Sequence, residues 1–69
     1  MNAEEIRALS IEEMRARLDE AREELMNLRF QQATGELIDL SRLGYTRRSI
    51  ARFLTIIKER EQELEKEGE

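Results

Sequence analysis

At 69 residues, 39% hydrophobic and 41% charged, the chain has room for one small domain and too little apolar side chain for a thick core. It contains no Cys, His or Pro, so a disulfide, a thiolate or imidazole metal ligand and a histidine base are all excluded. The net charge of −4, taken alone, argues against a polyanionic partner.

Asn2-Ala3-Glu4-Glu5 opens the first predicted helix, over about 3–8, with Asn2 as its cap and Glu5 at the third helical position. Ile6 and Leu9 are its apolar anchors. Ser10-Ile11-Glu12-Glu13 then reads as a capping box, and Leu9 with Met14 as a hydrophobic staple across it. The helix that follows is predicted over about 11–34. Its Ile11, Met14, Leu18, Ala21, Leu25 and Leu28 recur at alternating spacings of three and four, a continuous heptad seam that ends at Gln32. Thr34-Gly35 is a stop signal, since Gly35 is free to adopt the left-handed conformation.

A short loop is expected over about 35–39, with Asp39 capping a third helix over about 40–66. That helix carries Leu43, Ile50, Phe53, Leu54, Ile57 and Leu64 on one face, interrupted by Glu61. Gly44 inside it costs ~1 kcal/mol relative to Ala. Either it marks a close approach or the helix starts at Thr46; the earlier start is preferred. Residues 67–69 are expected to fray. Two helices with matched apolar stripes and a short connection fold back on each other. The expected fold is therefore all-α: a single domain over 1–69, built as a long antiparallel helical hairpin with a short N-terminal helix. The stripes of Ile11, Met14, Leu18, Leu25 and Leu28 should face Leu43, Ile50, Phe53, Leu54 and Ile57. So thin a hairpin should be marginal alone and should dock onto something larger.

Charge is distributed unevenly. Residues 36–60 set Glu36, Asp39 and Glu59 against Arg42, Arg47, Arg48, Arg52, Lys58 and Arg60, a net of +3, while residues 61–69 are a net −4. Fields are screened beyond roughly 10 Å, so a basic stretch in an acidic protein can still meet phosphate. No apolar run approaches the ~20 residues of a membrane span. The N-terminus lacks the basic and apolar regions of a signal peptide. A cytoplasmic protein without a membrane partner is expected.

Chemistry fails on inventory. The hydroxyls of Ser10, Ser41, Ser49, Thr34, Thr46, Thr55 and Tyr45 have no histidine to activate them. Carboxylate neighbours such as Glu12/Glu13 and Glu23/Glu24 read as a solvated helix face, and no loop has calcium-ligand spacing. No enzyme activity, cofactor, metal or small-molecule substrate is expected. The basic segment differs. At 100° per residue, Arg48, Arg52, Ser41 and Thr55 lie opposite the Ile50/Ile57 stripe, with Arg47 and Lys58 on one shoulder. Guanidinium groups suit bidentate phosphate contact; by pattern alone, a merely solvated face fits about as well. Met26 and Phe30 lie off the seam, and Tyr45, Arg52 and Ile56 fall on the outer side of the third helix. Such residues serve as satellite packing or as contacts for a partner.

Asn27-Leu28-Arg29-Phe30-Gln31-Gln32-Ala33-Thr34-Gly35-Glu36-Leu37, followed by Arg47-Arg48-Ser49-Ile50-Ala51-Arg52, resembles the bacterial large-subunit ribosomal protein family numbered twenty-nine. The resemblance spans about residues 1–60 and rests on both motifs in this order and spacing. It implies a helical hairpin that binds large-subunit ribosomal RNA near the exit of the nascent-chain tunnel, beside the ribosomal protein numbered twenty-three. By position, Arg47, Arg48 and Arg52 match the basic motif, and Arg29, Gln31, Thr34 and Gly35 match the first motif and turn. With Thr55 and Lys58 from the basic face, these form the candidate RNA-binding set. The alternative is a protein-binding hairpin or coiled-coil adaptor with no RNA role.

Overall fold

Capping side chains set where the helices begin. The computed structural model of the chain describes residues 1–36 and 39–67. Asn2 Oδ1 accepts from the Glu5 N–H at 2.9 Å and starts α1, Ala3–Arg7. Ser10 Oγ accepts from the Glu13 N–H at 3.1 Å and starts α2, Ile11–Thr34. The Glu13 carboxylate takes the Ser10 hydroxyl proton as a hydrogen bond rather than reaching the Ser10 backbone, so the box closes side chain to side chain. Asp39 Oδ1 accepts from the Ser41 N–H at 3.0 Å at the head of α3, Leu40–Glu67. Of the expected loop, residues 37 and 38 lie outside the described residues, as do 68 and 69 of the acidic end; Glu67 is still helical.

α2 ends as its sequence requires. Gly35 adopts φ 80°, its N–H reaches Gln32 O at 3.2 Å, and the Glu36 N–H reaches Gln31 O at 2.8 Å. These two bonds are a Schellman motif, which satisfies carbonyls the helix end would otherwise leave open. α3 runs through Gly44 without interruption.

α2 and α3 pack antiparallel as a long hairpin, within overall extents of 51 × 18 × 14 Å. No strand occurs among the described residues. Met14, Leu18 and Leu28 of α2 are buried, with Ile11, Ala21 and Leu25 half-buried beside them. From α3, Phe53 and Ile57 are buried and Leu43 and Ile50 half-buried. Two expectations for α3 are corrected. Leu54, placed in the seam, is 44% exposed, while Ile56, placed on the outer side, is 3% exposed. The buried arc of α3 is turned away from Leu54 because α3 has two neighbours. α1 lies along its second flank and buries Ile6 completely against it. Arg60 then ties α1 down: its guanidinium donates to Arg7 O at 2.9 Å and Leu9 O at 3.5 Å, the open carbonyls at the end of that short helix. Thr46 is also buried in the α3 seam, and no buried side-chain nitrogen or oxygen among the described residues lacks a partner.

Candidate nucleic-acid interface

The basic face forms where α1 meets α3. Between them runs a shallow groove of about 400 Å³, whose floor is Ala3, Ala51 and Ile56 and whose rim holds Arg7, Arg48, Arg52, Thr55 and Glu59. Each rim residue is exposed. Arg52 Nη1 donates to Met1 O at 2.9 Å, which fixes the start of the chain and orients the guanidinium along the groove. Arg48 lies back over Gly44: a Cβ added there would sit 3.4 Å from Arg48 Nη1. That is ordinary van der Waals contact with the end of a flexible side chain, so the guanidinium lies over Gly44 without requiring glycine there. The Thr55 hydroxyl donates to Ala51 O at 2.9 Å, so toward a ligand it offers mainly an acceptor.

The remaining candidates stand elsewhere. Arg47 and Lys58 are exposed on the shoulder of α3 beside Leu54, one helical step from the Arg48/Thr55 line. Arg29, Gln31, Thr34 and Gly35 belong to the turn end of α2, about 10 to 18 Å along the hairpin from Arg52 at 1.5 Å rise per residue, with Arg29 nearest and Gly35 farthest. There the Thr34 hydroxyl donates to Phe30 O and Gln31 O, both at 3.2 Å. Gly35 is occupied with the Schellman turn. Gln31 borders a hollow that also holds Glu24, Glu36, Asp39 and Arg42, so any contact it makes is through its amide without help from charge. In that hollow Arg42 binds Glu24 at 2.8 Å, and this hydrogen bond and charge raise the Arg42 pKa. The Asp39 carboxyl is held below the usual aspartate range, first by the Ser41 hydroxyl and then by the Ser41 N–H.

Ion pairing sorts the cations. Arg7, Arg15, Arg17, Arg22, Arg42 and Arg60 each have a carboxylate within 4.0 Å. Among the described residues Arg29, Arg47, Arg48, Arg52 and Lys58 have none, and neither does Lys66 in the acidic end. Arg7, on the groove rim, was not among the candidates. Its helix is too short for periodicity to place it, and only the burial of Ile6 reveals which way it faces. Among the described residues no cluster of His, Cys, Asp or Glu could hold a metal ion, and no helix is long and apolar enough to cross a membrane.

Comparison with known proteins is consistent along the chain. The family model described as Ribosomal L29 protein matches residues 4–60. The large ribosomal subunit protein uL29 of Corynebacterium kroppenstedtii is 59% identical over 59 residues, 86% of this chain and 78% of the relative. That of Rubrobacter xylanophilus is 49% identical over 63 residues, covering 91% and 94% of the two chains. That of Desulfatibacillum aliphaticivorans is 47% identical over 62 residues, covering 90% of this chain and all of the relative. With more than half the chain matched by the family model and relatives this similar over 78% to all of their length, the chain belongs to the ribosomal L29 protein family.

Proposed function

We propose that this protein is a structural constituent of the large ribosomal subunit, in the cytoplasm, held on ribosomal RNA near the nascent-chain tunnel exit. Its role is to bind and position, not to catalyse. The observation that carries the RNA reading is the sorting of the cations. Arg29, Arg47, Arg48, Arg52 and Lys58 are the exposed charges of the described hairpin, outside its acidic end, that no carboxylate neutralises. An Arg with no carboxylate partner keeps its charge for phosphate contact, and Arg52, which gives Nη1 to Met1 O, retains its other N–H donors. Their spread along α3 and onto α2 suits a backbone that is followed rather than a base that is read. The turn residues Gln31, Thr34 and Gly35 bring the Arg29 end of the hairpin to the same RNA. Thr55 accompanies Arg48 and Arg52 in the groove.

Exposed Met26 and Phe30 on α2 and Leu40 and Leu54 on α3 support a protein neighbour as well, for which the family resemblance implies ribosomal protein twenty-three. A free-standing adaptor has no corresponding use for the unpaired cations. The test is co-sedimentation with large subunits in a density gradient, wild type against the Arg47→Ala/Arg48→Ala/Arg52→Ala triple variant. The wild type should travel with the large subunit, and the triple variant should leave it at lower salt. A triple variant that stays bound with unchanged salt dependence would refute the assignment.

A further inference from the structure

We infer that α1 is a wall of the RNA site, and that the groove between α1 and α3 seats a ribosomal RNA phosphate between Arg7 and the Arg48/Arg52 pair, with Glu59 as an internal competitor for Arg7. This rests on the RNA-binding reading above and assigns to it a residue and an element that neither motif of the sequence contains.

Three observations support it. The first is that the groove is a fixed shape. Ile6 is fully buried against α3, Arg60 holds Arg7 O and Leu9 O, and Arg52 holds Met1 O, so both ends of α1 are fastened to α3. A phosphate entering it meets guanidinium groups already in place, which lowers the ordering cost of binding. The second is charge. Arg7, Arg48 and Arg52 face one acid, Glu59, and that acid is engaged by Arg7 at 3.6 Å. Arg7 and Glu59 side chains are 55% and 49% exposed, so the pair is weakly held and open to exchange. An RNA phosphate can take the place of Glu59 on Arg7 with no buried charge left behind. The third is the floor. Ala3 and Ala51 are small, and the groove is shallow and open along its length. That suits the passage of a phosphodiester chain and gives no enclosure for a free nucleotide.

Glu59 then sets the strength of the seat. While it is paired with Arg7, the groove presents two unpaired guanidiniums. When RNA displaces it, the groove presents three and the carboxylate turns to solvent. Removing the Glu59 charge should therefore tighten binding by more than the general gain from removing one carboxylate, for which Glu20→Gln, on the Arg17 pair of α2, is the measure.

The experiment is rebinding of the labelled full-length protein to large subunits stripped of it, measured across a salt series. The variants are Arg7→Ala, Arg7→Lys, Glu59→Gln and Arg48→Ala. Arg17→Ala serves as a control for net charge, because Arg17 is paired with Glu20 on α2 away from the groove. Each lost phosphate contact should flatten the plot of log affinity against log salt by about 1. Arg7→Ala and Arg48→Ala should each do so, Arg7→Lys should keep most of the slope, and Glu59→Gln should bind more tightly than wild type at every salt. Circular dichroism verifies that α1 variants remain folded, and Glu59→Gln probes the groove even if Arg7→Ala perturbs α1. If Arg7→Ala behaves as Arg17→Ala does and Glu59→Gln as Glu20→Gln does, while Arg48→Ala weakens binding, α1 is not part of the site and the RNA reading stands without it. If none of these variants, nor the Arg47/Arg48/Arg52 triple variant, moves the slope, both fall.

Discussion

Gly35, which ends α2, and Gly44, inside α3, make opposite demands on a side chain. Gly35 sits at φ 80°, where a Cβ is strained even though nothing lies within 4 Å of it. Gly35→Ala should destabilise the protein by about 1 kcal/mol, read as a lower denaturation midpoint. Gly44 has ordinary helical geometry, and an added methyl meets only the end of the flexible Arg48 side chain. Gly44→Ala should therefore raise stability, by up to ~1 kcal/mol, in the same measurement. Asp39 adds a pH dependence. Its pKa is lowered in the folded chain by the Ser41 hydrogen bonds, so the cap contributes stability above the unfolded aspartate pKa and loses it as pH falls through the folded value. Thermal melts of Asp39→Asn and wild type should differ less in acid than at neutral pH. The reverse trend would mean the carboxylate is not the capping species.

At the scale of elements, α1 is the smallest helix, yet its anchor Ile6 is as fully buried as Met14 of α2. Ile6→Ala should cost ~2–4 kcal/mol, comparable with the roughly 3–5 kcal/mol that a core this size supplies. The thermal unfolding midpoint should drop steeply. An Ile6 variant as stable as wild type would mean that α1 does not hold its place on α3. The hairpin itself was legible in the sequence because caps and heptad spacing are local signals: Ser10, Asp39 and the Met14–Leu28 seam need no knowledge of what lies across from them. The position of α1 was not. Ile56 and Leu54 flank Phe53 and Ile57 almost symmetrically around α3, so a two-helix packing gives no reason to bury Ile56 instead of Leu54. Only a third element on the other flank makes that choice. The same gap hid Arg7 and made Arg60 look like one more surface cation rather than the group that closes the end of α1. The unpaired cations of α3 were legible because the basic motif concentrates them, but their separation from the turn-end candidates is a matter of distance along a rod.

For the whole molecule, charge is arranged in blocks along that rod. The acidic end is partly tied in: Arg15 binds Glu61 at 3.0 Å, and Arg60 approaches Glu63 at 3.9 Å. Beyond them the acids lie near a helix C-terminus, where negative charge is unfavourable. This block should point away from RNA, with the groove and the Arg47/Lys58 shoulder toward it. Deleting residues 62–69 should leave incorporation into large subunits intact in a reconstitution assay. Loss of incorporation by a truncated chain that keeps its helical circular dichroism would make the acidic end a docking element instead.

The fastening of α1 to α3 also bears on the order in which the molecule can assemble. Arg60 meets Arg7 O across 53 residues of sequence and Arg52 meets Met1 O across 51. The first helix to be synthesised is therefore the last to find its place. During translation Met14 and Leu18 follow Ile6 early, but the α3 side of its site, Ile56 with Arg60, is made only once α2 is complete and most of α3 has been synthesised. Loop closure over such a span is entropically disfavoured unless the intervening hairpin has already brought the ends together. The hairpin should thus zip from its Gly35 turn and present a ready flank to α1. In pulsed hydrogen exchange the amides of α2 and the first half of α3 should gain protection before the Ile6 amide does.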